Sequence, residues 1–147
     1  MEEINVGDTV EISSNEDGFL GSYFVAQVIE KIKNKHNNHD EYEVEYETLL
    51  DDEDENKMYR EKVEDYKVRP TPPVVRVAEF DVLDKVDVYD NDGWWVGRVT
   101  HKFDYVYTVY FESTADEWAY SFDRLRLHQE YRNGVWTVSS GRQNIIA

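Results

Sequence analysis

Carboxylates, aromatic rings and a handful of histidines are the side chains in this sequence that could do chemistry. Asp and Glu number 32 against 16 Lys and Arg, a formal charge of −16, and the rings are 11 Tyr, 6 Phe and 4 Trp. Such an excess of carboxylate complements a basic partner. It opposes direct binding to DNA or RNA, where affinity comes from Lys and Arg displacing counterions. The acids are also concentrated. Between Asp40 and Glu55 there are ten in sixteen positions and no base, ending in the run Asp51-Asp52-Glu53-Asp54-Glu55. Residues 1–70 carry 20 acids and 8 bases, residues 71–147 carry 12 and 8, so −12 of the −16 lies in the first half. A run of this kind is ordinarily a solvated face; at the end of a strand it also suits docking of Lys and Arg.

Catalytic chemistry finds little support. With no cysteine there is no thiol nucleophile, no disulfide and no thiolate zinc. His36-Asn-Asn-His39 offers two metal ligands without a third at a diagnostic spacing. Gly-x-Ser-x-Gly and glycine-rich phosphate loops are missing, and acidic pairs are too abundant here to single one out. The sequence therefore assigns no catalytic residue, metal site or cofactor, and reads as a non-enzyme. His36, His39, His101 and His128 are the side chains able to change charge near neutral pH, and so are candidates for a pH switch on binding.

The elements that must position these groups are strands. Val, Ile, Phe, Tyr and Trp total 46 against 13 for Leu, Ala and Met, a composition suited to pleated sheets. Val10 and Ile12 alternate with polar residues, and Tyr42-Glu-Val44-Glu-Tyr46-Glu sets three apolar side chains on one face and three glutamates on the other. Tyr131-Arg-Asn133-Gly134-Val-Trp136 predicts a hairpin with a type I′ turn. Lys57–Tyr66 is the one stretch with helix-like spacing, and it is too short to specify a helix. No apolar run approaches the roughly 20 residues of a membrane span, and Met1-Glu2-Glu3-Ile4-Asn5 lacks the features of a signal peptide.

The sequence is also written twice. Val6-Gly-Asp8-Thr-Val10-Glu11-Ile12 matches Val82-Leu-Asp84-Lys-Val86-Asp87-Val88 at an offset of 76. Tyr23–Val28 matches Trp94–Val99 at 71, and Tyr42–Glu47 matches Tyr107–Glu112 at 65. A looser fourth match sets Val68-Arg69-Pro70 over Leu125-Arg126-Leu127. Length is lost only between blocks, so the blocks are strands and the gaps are loops. Pro70-Thr-Pro72-Pro73 cannot feed a ladder with amide protons and reads as a stiff connector. The expected organisation is a first domain over 1–70, a linker over 71–79 and a second domain with a C-terminal hairpin over 80–147, packed as one two-lobed unit.

Val6-Gly7-Asp8, Asp17-Gly18-Phe19-Leu-Gly21-Ser22-Tyr23-Phe24, Tyr42-Glu-Val44-Glu-Tyr46 and Val68-Arg69-Pro70 resemble the plant Agenet domain. Asp84-Lys-Val-Asp87, Asp90-Asn91-Asp92-Gly93-Trp94-Trp95 and Leu125-Arg126-Leu127-His128 are similar to the second member of a tandem Agenet pair. Two departures stand out: Tyr23 where the pattern often has tryptophan, and Leu83 where it usually has glycine. The resemblance implies an all-β fold of two small Tudor-like barrels. It also implies a monomeric, nuclear chromatin reader, associated with gene silencing, that binds a histone H3 tail through methyl-lysine of the lysine 9 type. The alternative is a protein–protein scaffold that binds a basic segment of another partner without methyl selectivity.

A methylated ammonium is held by ring faces through cation–π attraction. Alternation in the second block turns Phe24, Ala26 and Val28 inward and Tyr23 outward; the same register turns Trp95, Gly97 and Val99 inward and Trp94 outward. Tyr23 and Trp94 are thus the leading cage candidates, with Phe19 in the first loop beside them. Tyr46 and Phe111 end their strands at the same rim but suit core equally well. Asp51, Asp52, Glu53, Asp54 and Glu55 are the candidates for holding basic residues of the tail.

Overall fold

A computed structural model describes residues 3–14, 21–36 and 38–139. It divides into two compact units, residues 2–71 and 72–147. The first contains β1 (Thr9–Ser13), β2 (Ser22–Ile32), β3 (Glu41–Leu50), β4 (Met58–Glu64) and β5 (Val68–Pro70). All pairings are antiparallel, in the order β4-β3-β2-β1-β5. The second contains β6 (Lys85–Asp90), β7 (Gly93–Phe103), β8 (Val106–Phe111), β9 (Asp116–Ser121) and β10 (Leu125–Leu127), in the corresponding order β9-β8-β7-β6-β10. A single 3-10 turn leads into the last strand of each sheet, Asp65–Lys67 and Phe122–Arg124. No helix among the described residues is long and apolar enough to cross a membrane.

Period-two alternation sets which side chains enter each core. In the first unit Phe24, Ala26 and Val28 are 5%, 0% and 1% exposed, as their register requires, and Val10, Ile12, Val44, Tyr46, Val63 and Val68 are buried with them. The second core gathers Val86, Val88, Val99, Tyr107, Val109, Phe111, Leu125 and Leu127 around Phe80. Val75 and Val77 pack against that core, and the Pro73 carbonyl accepts a hydrogen bond from Gln129 Nε2 at 2.8 Å. The proline-rich segment is therefore divided: Pro70 ends β5 opposite Val10 and Thr71 Oγ1 donates to the Thr9 carbonyl at 3.0 Å in the first unit, whereas Pro73, Val75 and Val77 lie along the second. Lys57–Tyr66, ambiguous in sequence, forms β4 and the start of the 3-10 turn.

The C-terminal hairpin pairs β11 (Gln129–Arg132) with β12 (Val135–Val138). Asn133 and Gly134 both have positive φ, 52° and 78°, as a type I′ turn demands.

The entry to each sheet uses one backbone device twice. Asp8 accepts the Asn5 amide at 2.9 Å, and Gly7 N–H donates to the Val28 carbonyl at 2.8 Å. Asp84 accepts the Asp81 amide at 2.8 Å, and Leu83 N–H donates to the Val99 carbonyl at 2.7 Å. The turn needs a positive φ at its central position. Gly7 supplies 91° without a Cβ, whereas Leu83 is held at 78°, in a region that costs an L-residue about 1–2 kcal/mol. Leu83 is 63% exposed, so its side chain recovers little by packing. Leu83→Gly is expected to stabilise the second unit by about 0.5–1 kcal/mol, the strain relieved less the entropy of glycine. A lower urea midpoint for the variant would contradict this.

Gly97 is the tightest point of the second core. A Cβ there would collide with Val109 Cγ1 and come within 2.9 Å of the Tyr110 carbonyl. Its counterpart by sequence offset, Ala26, has room for a methyl group and is fully buried. Gly97→Ala is expected to destabilise the second unit by about 1–3 kcal/mol through overpacking. Thermal unfolding followed by near-UV circular dichroism, which reports Trp95 and the surrounding rings, checks it.

Candidate functional site

The first unit opens a cleft where its ladder breaks. β3 and β4 are in register from Glu41↔Glu64 to Glu45↔Arg60, and the next pair is Leu50↔Met58. Four residues of β3, 46–49, therefore face the single residue Tyr59. A cavity of about 180 Å³ opens beside this break, lined by Phe24, Tyr46, Leu49, Tyr59, Glu61 and Val63, with Ile12, Ser13, Ser14 and Lys67 completing the wall. This is below the roughly 300 Å³ of ordinary small-molecule sites and suits one side-chain head group.

Inside it, the rings of Tyr46 and Tyr59 lie nearly parallel, 8° apart, with centroids separated by 5.7 Å. The Tyr46 hydroxyl donates to Glu61 Oε2 at 2.6 Å, which draws a carboxylate to the aromatic wall. Rings set beside a carboxylate in a small cavity provide attraction for a cation that carries an apolar coat. β2 contributes Phe24, β3 Tyr46 and Leu49, and β4 Tyr59, Glu61 and Val63.

The acidic loop after β3 begins where the cleft ends. Asp51 and Asp54 build the loop: Asp51 Oδ1 accepts the amides of Glu53 and Asp54 at 2.8 and 3.2 Å, and Asp54 Oδ1 accepts the Asn56 amide at 3.0 Å. Asp52, Glu53 and Glu55 are exposed. The five acids thus divide into two that shape the turn and three that face solvent.

Tyr23 and Trp94 have other occupants. The Arg69 guanidinium carbon sits 3.6 Å from the Tyr23 ring centroid, and Arg69 donates from Nε and Nη2 to Glu11 Oε1 at 3.1 and 2.7 Å. In the second unit the Arg126 guanidinium carbon lies 4.0 Å from the Trp94 centroid, and its Nε donates to Asp87 Oδ2 at 2.8 Å. Each sheet therefore carries an acid, an arginine and a ring at corresponding strand positions. One ring face in each case is taken by the protein's own cation. Phe111 is buried in the second core, edge to face with Tyr120 at 6.1 Å. Phe19 lies outside the described residues.

The histidines are dispersed. His36 is exposed, its amide donating to Asn34 Oδ1 at 3.1 Å. His39 pairs with Asp65 at 3.2 Å and sits edge-on to Tyr66. His101 is exposed, with Nδ1 3.3 Å from Thr100 Oγ1. His128 is 1% exposed and set between two carboxylates, Nδ1 2.6 Å from Asp87 and Nε2 3.2 Å from Glu130. None of the four lines the cleft.

Sequence reasoning passed over Tyr59 and Glu61, and assigned Phe24 to the core alone. Tyr59-Arg-Glu61-Lys-Val63 does alternate, and reading it as a strand rather than an uncertain helical stretch places Tyr59, Glu61 and Val63 on one face.

Comparison with known proteins agrees with this architecture. The Agenet domain model matches residues 7–73. The crystal structure of Arabidopsis thaliana AGDP1 AGD34 superposes with a TM-score of 0.83 at 31% identity, covering 92% of this chain and 89% of that one. The chain belongs to the Agenet family. A second structure, the ADCP1 tandem Agenet domain 3-4, superposes on the Agenet pair with a TM-score of 0.78 at 28% identity, covering 92% and 87% of the two chains. In sequence the pair is 37% identical over 145 residues to the AGENET DOMAIN (AGD)-CONTAINING P1 protein of Arabidopsis thaliana, and 35% identical over 131 residues to its DUF724 domain-containing protein 3. These alignments cover 96% and 86% of the Agenet pair but 26% and 18% of the relatives, so it spans about a quarter or less of their length.

Proposed function

We propose that the Agenet pair is a nuclear chromatin reader that binds a histone H3 tail and takes a methylated lysine, of the lysine 9 type, into the first-unit cleft. The observation that carries this reading is the cavity of about 180 Å³ walled by Phe24, Tyr46 and Tyr59 with Glu61 at its side. Ring faces attract the ammonium, its methyl groups lose contact with water, and the carboxylate complements the charge. Asp52, Glu53 and Glu55, exposed on the adjoining loop, meet Arg and Lys elsewhere on the tail and speed encounter.

Calorimetric titration with H3 tail peptides bearing zero to three methyl groups on lysine 9 tests the proposal. Affinity should rise about tenfold from the unmodified to the higher methylation states, the size of a desolvated cation–π contact, and should fall for every peptide as salt is raised. Equal affinity across the series would replace the reader by a scaffold that holds basic segments through the acidic loop alone.

A further inference from the structure

The second unit repeats the five-strand order of the first, so six residues that line the first cleft have counterparts in it, here on a β8 to β9 ladder that runs unbroken to Phe111↔Asp116. By the offsets and registers of the paired strands, Ser14, Phe24, Tyr46, Tyr59, Glu61 and Val63 correspond to Asp90, Trp95, Phe111, Asp116, Trp118 and Tyr120. A serine has become an acid, a valine a tyrosine and a glutamate a tryptophan. The second set holds four rings and two carboxylates where the first holds three rings and one.

Contacts link Trp95, Asp90, Tyr120 and Phe111, and strand register sets Asp116 and Trp118 on the same face. Asp116, Trp118 and Tyr120 alternate along β9 and so share one face, with Asp116 opposite Phe111 and Trp118 opposite Val109 on β8. Phe111 and Tyr120 meet edge to face at 87°. The Tyr120 hydroxyl donates to Asp90 Oδ2 at 2.9 Å, and Trp95 Nε1 donates to the Asp90 carbonyl at 2.7 Å, so Asp90 gathers two of the rings. Burial, reinforced by the Asp90 carboxylate, raises the Tyr120 phenol well above its ordinary range; it stays a donor and the bond keeps its direction. Trp118 is 61% exposed, a large indole on the core-side face of its strand yet open to solvent.

We propose that Trp95, Phe111, Trp118 and Tyr120, with Asp90 and Asp116, form a second methylated-ammonium site, which takes a methylated lysine of a basic peptide independently of the first-unit cleft. The ligand chemistry rests on the reading given above; the site does not. Tryptophan is the strongest cation–π partner among the rings, and this set has two.

The test is a ¹H–¹⁵N titration of the whole chain with an H3 tail peptide trimethylated on one lysine and with its unmodified form, following the assigned Trp95 and Trp118 indole resonances together with the β3 and β4 amides. Both indoles should shift saturably with the trimethylated peptide and at least about tenfold more weakly with the unmodified one. Trp118→Ala, at an exposed position, should abolish the Trp95 response and leave the β3 and β4 response intact, with Trp118→Phe restoring part of it. Tyr59→Ala should do the reverse. Movement of the β3 and β4 amides without the indoles overturns the second site and leaves the first. Movement of the indoles without those amides supports the second site while removing the lysine from the first-unit cleft. If neither responds to methylation, both are overturned.

Discussion

Replacing Arg69 with alanine is expected to lower the stability of the first Agenet unit by about 3–5 kcal/mol, the usual cost of leaving one member of a buried ion pair behind. Glu11 is 2% exposed and Arg69 7%, and both Arg69 contacts to Glu11 Oε1 fall within 3.1 Å. Without the guanidinium the carboxylate is left without its paired charge at a buried position on the face of β1 opposite Val10 and Ile12, and Tyr23 loses the cation stacked on its ring. A unit of this size has only about 5–10 kcal/mol to lose, so the variant should be partly unfolded at 37 °C. Urea denaturation measures the change. Replacing both partners with apolar residues, Glu11→Leu with Arg69→Met, should recover most of it, because no charge then remains to be desolvated. If Arg69→Ala alone shifts the midpoint by less than about 1 kcal/mol, the value of an exposed pair, the pair is not what holds β1 to β5.

The largest effect on binding is expected at Tyr59. Tyr59→Ala removes one of the two stacked rings from the cleft while leaving the Tyr46 to Glu61 hydrogen bond in place. Tyr59 is only partly buried, in contrast with Tyr46 at 5% exposure, so its loss should spare the core. Affinity for a trimethyl-lysine peptide should drop about 10- to 30-fold, corresponding to one desolvated cation–π contact of up to about 2 kcal/mol. Affinity for the unmodified peptide should hold within a factor of two or so, since the exposed acids of the loop are untouched. A parallel loss for both peptides would place Tyr59 in general peptide docking instead. Isothermal calorimetry on the two peptides separates these outcomes.

The fold was legible because its signals are local or repeated. Alternation around Val10, Phe24 and Val44 named the buried face, Asn133-Gly134 named the hairpin turn, and the offsets of 76, 71 and 65 aligned β1, β2 and β3 with β6, β7 and β8. The matching of Leu83 to Gly7 even located the residue held at φ 78°. The site was less legible, for reasons that are geometric. Tyr46, Leu49 and Tyr59 line the cleft where the β3 to β4 ladder is interrupted between Glu45 and Leu50, and nothing in Glu47-Thr-Leu-Leu50 announces that interruption. Tyr23 and Trp94 do point away from the core as alternation requires. Which cation each would meet depended on Arg69 and Arg126, brought alongside by pairings with β1 and β6. A pattern read along one strand cannot see a guanidinium delivered by another.

The pairing of β5 with β1 also bears on how long the folded unit lasts. Its remaining strand pairs in the ladder join neighbours in sequence, β1 to β2, β2 to β3 and β3 to β4. Val10↔Pro70, Glu11↔Arg69 and Ile12↔Val68 close the chain on itself, the ion-pair partners being 58 positions apart in sequence. Contacts of such separation are entropically the last to form. Interactions made after the folding transition state act on the rate of opening rather than the rate of closing. The Glu11 to Arg69 pair then governs the lifetime of the native sheet: weakening it would shorten that lifetime while refolding proceeds at nearly its original speed, and a chevron plot would show the change in its unfolding arm.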